Sequence, residues 1–156
     1  MALTVAVGQK APDFTLVDTG RKYISLSHFE GKKIVLVFYP GAFTGICTKE
    51  MCTLRDSMAD FNSLNVQVLG ISVDSPFANK GFAEKNGLTF PLLSDYTRYV
   101  SAQYCGLANN FANLVGLSTA NRSVFVIDAN GIVTYAWISE NPGVEPPYEE
   151  IIKAIS

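Results

Sequence analysis

Ile34-Val35-Leu36-Val37-Phe38-Tyr39-Pro40-Gly41-Ala42-Phe43-Thr44-Gly45-Ile46-Cys47-Thr48-Lys49-Glu50-Met51-Cys52 is the stretch on which the chain turns. Its first six residues form a continuous apolar run rich in β-branched and aromatic side chains. That composition predicts a strand covered on both faces. Pro40 and Gly41 stop it. Cys47, Met51, Leu54, Met58 and Phe61 then recur at spacings of four, three, four and three, one apolar stripe of an amphipathic helix. Cys47 falls in the first turn of that helix, on its inward side. A helix start presents unpaired backbone N–H groups and a partial positive charge. A thiolate placed there is stabilised, and its reactive fraction at neutral pH rises. Thr44 is placed to cap the helix and to supply a hydroxyl at its mouth.

The flanking sequence supplies the remaining elements. Ala11 to Leu16 and Tyr23 to Leu26 flank a turn at Asp18-Thr19-Gly20 and read as an N-terminal hairpin. Ser27 to Lys32 is a turn or a single helical turn. Val66 to Val73 is a second buried strand. Ser75-Pro76 opens a helix with a capping hydroxyl and a proline in the first helical position, and Asn86-Gly87 closes it. Pro91 to Ser94 leads into a helical segment from Arg98 to Tyr104. Ser123 to Ile127 and Val133 to Ile138 are strands joined by a turn at Asn130-Gly131. Tyr148 to Ile155 is a closing helix. This order predicts one α/β domain over residues 1–156. The layout is a thioredoxin-like sandwich: a central mixed β-sheet, flanking helices and an N-terminal β-hairpin extension.

Bulk properties narrow the function classes. A chain of 156 residues is long enough for one domain with its own core. With 12 basic and 14 acidic residues the net charge is -2, which offers nothing to nucleic acid or another polyanion. No basic region leads into an apolar one as in a secretory signal. No apolar run reaches the roughly 18 residues of a membrane span. The three cysteines are an odd number, so catalytic or buried thiols in a reducing cytoplasm are expected rather than a disulfide framework. His28 is the only histidine, and with Cys47 and Cys52 it makes a poor metal set; no metal or other cofactor is expected.

Pro40-x-x-x-Thr44-x-x-Cys47 resembles the active-site pattern of the peroxiredoxins, the AhpC/TSA superfamily. Phe29-x-Gly31-Lys32, Phe38-Tyr39-Pro40, Glu50, and Arg122 ahead of Val124-Phe125-Val126-Ile127-Asp128 extend the likeness over nearly the whole chain. Cys52, five residues after Cys47, is similar to the resolving cysteine of the bacterioferritin-comigratory, type Q, atypical two-cysteine branch. The resemblance implies a thiol-dependent peroxidase acting on hydrogen peroxide and organic hydroperoxides. Cys47 would be the nucleophile that becomes a sulfenic acid. Thr44, Arg122 and backbone N–H groups would stabilise the developing charge. Pro40 would wall the site, and Glu50 would orient Arg122. Cys52 would resolve the sulfenic acid as an intramolecular Cys47–Cys52 disulfide, re-reduced by a thioredoxin-like dithiol. One departure stands out: Pro40 to Thr44 resembles another atypical two-cysteine branch, whereas Cys47 to Cys52 resembles type Q. No cysteine follows Cys105, so an intermolecular disulfide of the typical two-cysteine kind is not expected.

Three other readings stay open at this point. A thioredoxin-type disulfide oxidoreductase normally carries Cys-x-x-Cys, which is absent. A non-catalytic binding module would not need Thr44, Cys47 and Arg122 together. A one-cysteine peroxidase would leave Cys52 passive. Cys105 reads as a packing residue. Tyr99 to Asn121 contains no Asp, Glu, Lys or Arg, and it is expected to line the pocket, to form a homodimer contact, or to fold into the core. Monomer and homodimer are both compatible with it.

Overall fold

A computed structural model describes residues 4–139 and 141–156. In chain order its elements are β1 (Thr15–Asp18), β2 (Tyr23–Ser25), a 3-10 turn (Leu26–Phe29), β3 (Lys33–Phe38), α1 (Gly45–Asp56), α2 (Met58–Ser63) and β4 (Val66–Ser72). There follow α3 (Pro76–Asn86), β5 (Leu92–Ser94), α4 (Tyr99–Tyr104), β6 (Leu107–Ala108), a 3-10 turn (Phe111–Asn113), β7 (Thr119–Ala120), β8 (Arg122–Ile127), β9 (Val133–Ser139) and α5 (Tyr148–Ile155). Seven strands form one sheet in the order β2-β1-β5-β4-β3-β8-β9, and β6 pairs with β7 separately. β3 runs parallel to β4 and antiparallel to β8. The sheet is therefore mixed, in an α/β fold of the thioredoxin type.

The central strand explains its own sequence. Successive side chains of a strand point to opposite faces. Leu36 and Phe38 enter a core with Leu69, Ile71, Tyr104 and Phe125. Val35, Val37 and Tyr39 enter a second core with Cys47, Met51, Leu54, Phe61, Phe82 and Ile151. Both faces are dry, so the run has no polar alternation. The first core takes α4 and the N-terminal segment, and the second takes α1, α2, α3 and α5.

Two features differ from the sequence expectation. The stripe from Cys47 to Phe61 is carried by two helices, because the chain breaks at Ser57 (φ -93, ψ 1). Ser57 Oγ donates to the Thr53 carbonyl at 3.1 Å and Thr53 Oγ1 to the Lys49 carbonyl at 2.9 Å. Such back-bonding competes with the helical ladder and bends it. Secondly, Leu92–Ser94 is a buried strand rather than a lead-in, parallel to β4 and antiparallel to β1, which ties the N-terminal hairpin into the main sheet. The uncharged segment, for which pocket lining, dimer contact and core were all open, is not wholly core. Tyr104 and Cys105 are buried, but Leu114 and Val115 are 57% and 95% exposed. Leu107, Phe111, Asn121 and Pro142 help to line a cavity of about 470 Å³ beside the start of β8.

Candidate active site

The site forms where β3 ends and α1 begins. Tyr39 still bonds the sheet, its N–H donating to the Ile71 carbonyl at 3.0 Å. Pro40 and Gly41 are buried at this strand end. Phe43 then adopts a left-handed backbone (φ 64), and its ring meets Phe82 edge-on with centroids 5.3 Å apart. Thr44 is the N-cap residue of α1, and its carbonyl accepts the Thr48 N–H at 2.9 Å. The side-chain cap expected of Thr44 is not made: Oγ1 donates to the Gly41 carbonyl at 2.7 Å. The Gly41 carbonyl lies in a buried backbone that needs a donor, and the threonine three residues on supplies it.

Cys47 is fully buried in the first turn of α1. Arg122 reaches it from β8, the antiparallel neighbour of β3. One guanidinium nitrogen, Nη2, lies 3.3 Å from Cys47 Sγ and donates to the Pro142 carbonyl at 2.9 Å. The other, Nη1, donates to Glu50 Oε1 at 2.7 Å. Glu50 sits one turn after Cys47 on the same helix and is fully buried. Sulfur, carboxylate and backbone carbonyl are thus gathered on one planar fork, a geometry that arginine supplies and lysine does not.

The charges are strongly coupled. Burial pushes the Glu50 carboxyl up to about 7, although Arg122 pulls it down by charge and by hydrogen bond. Burial works against the Arg122 cation, but attraction to Cys47 and Glu50 wins and keeps it protonated. Arg122 Nε and Glu50 Oε2 are buried and have no hydrogen-bond partner among the described residues.

Cys52 lies on α1 with Cys47, and both thiols are free. It is half-buried and turned to α3, with Sγ 3.6 Å from Asn86 Oδ1. Cys105 is buried, its thiol pushed up to about 12 by that burial, and it sits against the Ser101 carbonyl at 3.3 Å. His28 Nδ1 accepts the Ser25 N–H at 3.2 Å, a local capping contact.

Of the residues expected here, the structure brings Cys47, Glu50 and Arg122 into contact and places Pro40 and Thr44 on the segment that leads into α1. Sequence reasoning missed the segment after β9. Besides the Pro142 contact, Glu145 pairs with Lys49 of α1 at 3.0 Å and accepts the Tyr148 hydroxyl at 2.7 Å. Pro142 acts through its backbone, so its identity carried no signal. It also missed Asp74, whose Oδ2 accepts the Ala42 N–H at 2.8 Å. The available signal was position: Asp74 follows β4 at the sheet end where Pro40 follows β3.

Comparison with known proteins shows the family. The AhpC/TSA family profile matches residues 7–136. The chain is 42% identical over 140 residues to alkyl hydroperoxide reductase E of Mycobacterium tuberculosis, covering 88% of this chain and 87% of that protein. It is 38% identical over 135 residues to the putative peroxiredoxin bcp of Coxiella burnetii, covering 86% and 89%. The crystal structure of peroxidoxin BcpB from Mycobacterium tuberculosis superposes with a TM-score of 0.82 at 31% identity, over 96% of this chain and 95% of that one. The chain therefore belongs to the AhpC/TSA family, with relatives of the bcp kind, and is a peroxiredoxin: a thiol-dependent peroxidase.

Proposed function

We propose that Cys47 is the nucleophile of this peroxidase and that Cys52 resolves it. The 3.3 Å approach of Arg122 Nη2 to Cys47 Sγ, at a helix start, is the observation that supports the reading best. The Cys47 thiolate attacks one oxygen of a hydroperoxide. The O–O bond breaks, sulfur keeps one oxygen as a sulfenic acid, and the other oxygen leaves as hydroxide or alkoxide and takes up a proton. Arg122 and the first-turn N–H groups stabilise the charge that develops. Thr44 has spent its own proton on Gly41, so its oxygen is left as an acceptor for the peroxide O–H. Pro40 walls the site against water, and Glu50 holds the guanidinium fork in place.

The Cys52 sulfur then attacks the sulfenic sulfur. An S–S bond forms and water leaves. A thioredoxin-like dithiol returns both thiols and is itself oxidised. Hydrogen peroxide and organic hydroperoxides are the substrates. The name of the alkyl hydroperoxide reductase relative supports the second class. The odd count of three cysteines supports a reducing, cytoplasmic setting. Among the described residues no helix is long and apolar enough to cross a membrane. The exposed Leu114 and Val115 support a contact between two copies of the chain.

Peroxide consumption with dithiothreitol or thioredoxin, followed by disulfide mapping after one equivalent of hydrogen peroxide, tests the scheme. The expected product is an intramolecular Cys47–Cys52 bond. Full turnover by Cys52→Ser would leave a one-cysteine peroxidase instead.

A further inference from the structure

Asp74 stands outside the Cys47, Glu50 and Arg122 cluster, yet it holds the backbone that leads into it. It lies between the end of β4 and the Ser75 cap of α3. Its Oδ2 accepts two hydrogen bonds at 2.8 Å, one from the Ala42 N–H and one from the Ser72 hydroxyl. Its own N–H donates back to Ser72 Oγ at 3.2 Å. Behind it the network continues inward. Ser72 Oγ is 3.3 Å from Asn79 Oδ1, which accepts the Tyr39 hydroxyl at 2.6 Å, and Asn79 Nδ2 donates to Ser94 Oγ at 3.2 Å. Tyr39, Ser72, Asn79 and Ser94 are all buried. A polar girder thus joins β3, β4, α3 and β5, and Asp74 connects it to the loop.

The point of attachment matters because of the next residue. Phe43 is not glycine, yet its φ is 64. A β-carbon disfavours that region, and such residues persist only where the surroundings hold them. On one side of Phe43 is the Asp74–Ala42 bond; on the other is Thr44, which opens α1. A loop released at Ala42 would relax at Phe43 and re-aim Thr44 and the first helical turn.

We propose that Asp74 is a positioning residue for the peroxide step. By holding the Ala42 N–H it fixes the left-handed turn at Phe43 and aims Thr44 and Cys47 at Arg122. The proposal rests on Cys47 being the nucleophile.

The test compares Asp74→Ala and Asp74→Asn in a Cys52→Ser background, where the Cys47 sulfenic acid accumulates and is trapped with dimedone. The second-order rate with hydrogen peroxide is measured beside the rate of Cys47 alkylation by iodoacetamide, which needs the thiolate but not the aligned donors. Misplacing reacting groups by about 1 Å costs on the order of 100-fold, so Asp74→Ala is expected to lose about that much in the peroxide rate while alkylation changes less than about 3-fold. Asp74→Asn keeps an acceptor oxygen and recovers most of the peroxide rate. An unchanged peroxide rate in Asp74→Ala overturns the proposal. So does an equal fall of both rates, or an Asp74→Asn no better than Asp74→Ala. If Asp74→Ala does not fold, Asp74→Asn and Asp74→Ser decide: the peroxide rate must follow protection of the Ala42 amide from hydrogen exchange, and a rate independent of it sinks the idea. A parent protein that forms no sulfenic acid at Cys47 removes the nucleophile assignment first, a result told apart by the absence of any dimedone adduct.

Discussion

Cys47 and Cys52 share one unbroken helix and face different neighbours: the first lies 3.3 Å from Arg122, the second 3.6 Å from Asn86. Five residues apart on a helix, their side chains point roughly 140° apart and their Cα atoms are about 8–9 Å apart. A disulfide requires Cα atoms within about 7 Å and converging Cβ vectors. The intact α1 thus forbids the proposed Cys47–Cys52 bond. Oxidation is therefore expected to open the helix. Hydrogen exchange on reduced and oxidised protein should show amides 48–54 losing protection in the disulfide form. Equal protection, in a protein mapped to hold Cys47–Cys52, would contradict this.

The Arg122–Glu50 pair is fully buried, so removing Arg122 leaves a buried carboxyl that must either keep an unpaired charge or take up a proton. Arg122→Met is expected to cost about 3–5 kcal/mol of stability and to abolish turnover. Arg122→Met with Glu50→Gln should cost less than the sum of the two single changes, because the carboxylate left without its cation is then neutral. Urea titration of the three variants measures the coupling, and strict additivity would refute it.

Glu50 carries a pH signature. Its folded value is raised to about 7 from 4.5. A carboxyl raised on folding stabilises the protein most below its unfolded value, and the contribution fades as pH rises through the folded one. Melting temperatures across pH 4 to 8 should contain a fall between about 4.5 and 7 that Glu50→Gln lacks. Identical slopes in the two proteins would remove Glu50 as its source.

Thr44 makes no side-chain cap, so its hydroxyl is separable from helix stability. Thr44→Val removes the donor to the buried Gly41 carbonyl and should cost about 1–3 kcal/mol. The peroxide step should slow by about 10-fold or more, because the acceptor that orients the peroxide O–H is lost. Thr44→Ser should restore it. Stopped-flow rates with hydrogen peroxide decide; a Thr44→Val enzyme at full speed rules the hydroxyl out.

Exposed Leu114 and Val115 give the dimer reading its handle. Val115→Asp should lower the sedimentation coefficient from that of a dimer to that of a monomer. The same value for both proteins would discard this surface as the contact.

The sequence made the central strands legible because burial on both faces leaves an unmistakable apolar run, as at Ile34 to Tyr39. Cys47, Glu50 and Met51 could be placed because one helix fixes their phase. What stayed hidden depends on contacts that have no pattern along the chain. The break at Ser57 arises from hydroxyls turning back on carbonyls. β5 has only three residues, too few for a period. The Thr44 hydroxyl had two partners in reach, and spacing alone does not choose between them. Asp74 and Pro142 meet the site through a backbone N–H and a backbone carbonyl, which any residue but proline at 42, and any residue at 142, would present.

The strap after β9 gives the opening of α1 an outward face. Lys49 lies between the two cysteines and is tied to Glu145 by a pair exposed enough to contribute no more than about 1 kcal/mol. Such a tether holds the strap in place without resisting the helix when it unwinds. If α1 opens on oxidation as expected, Lys49 would leave and Glu145 would keep only Tyr148. The oxidised protein would then display an acidic group and a loosened segment that the intact helix keeps engaged, and a dithiol reductant would meet a different surface in each state.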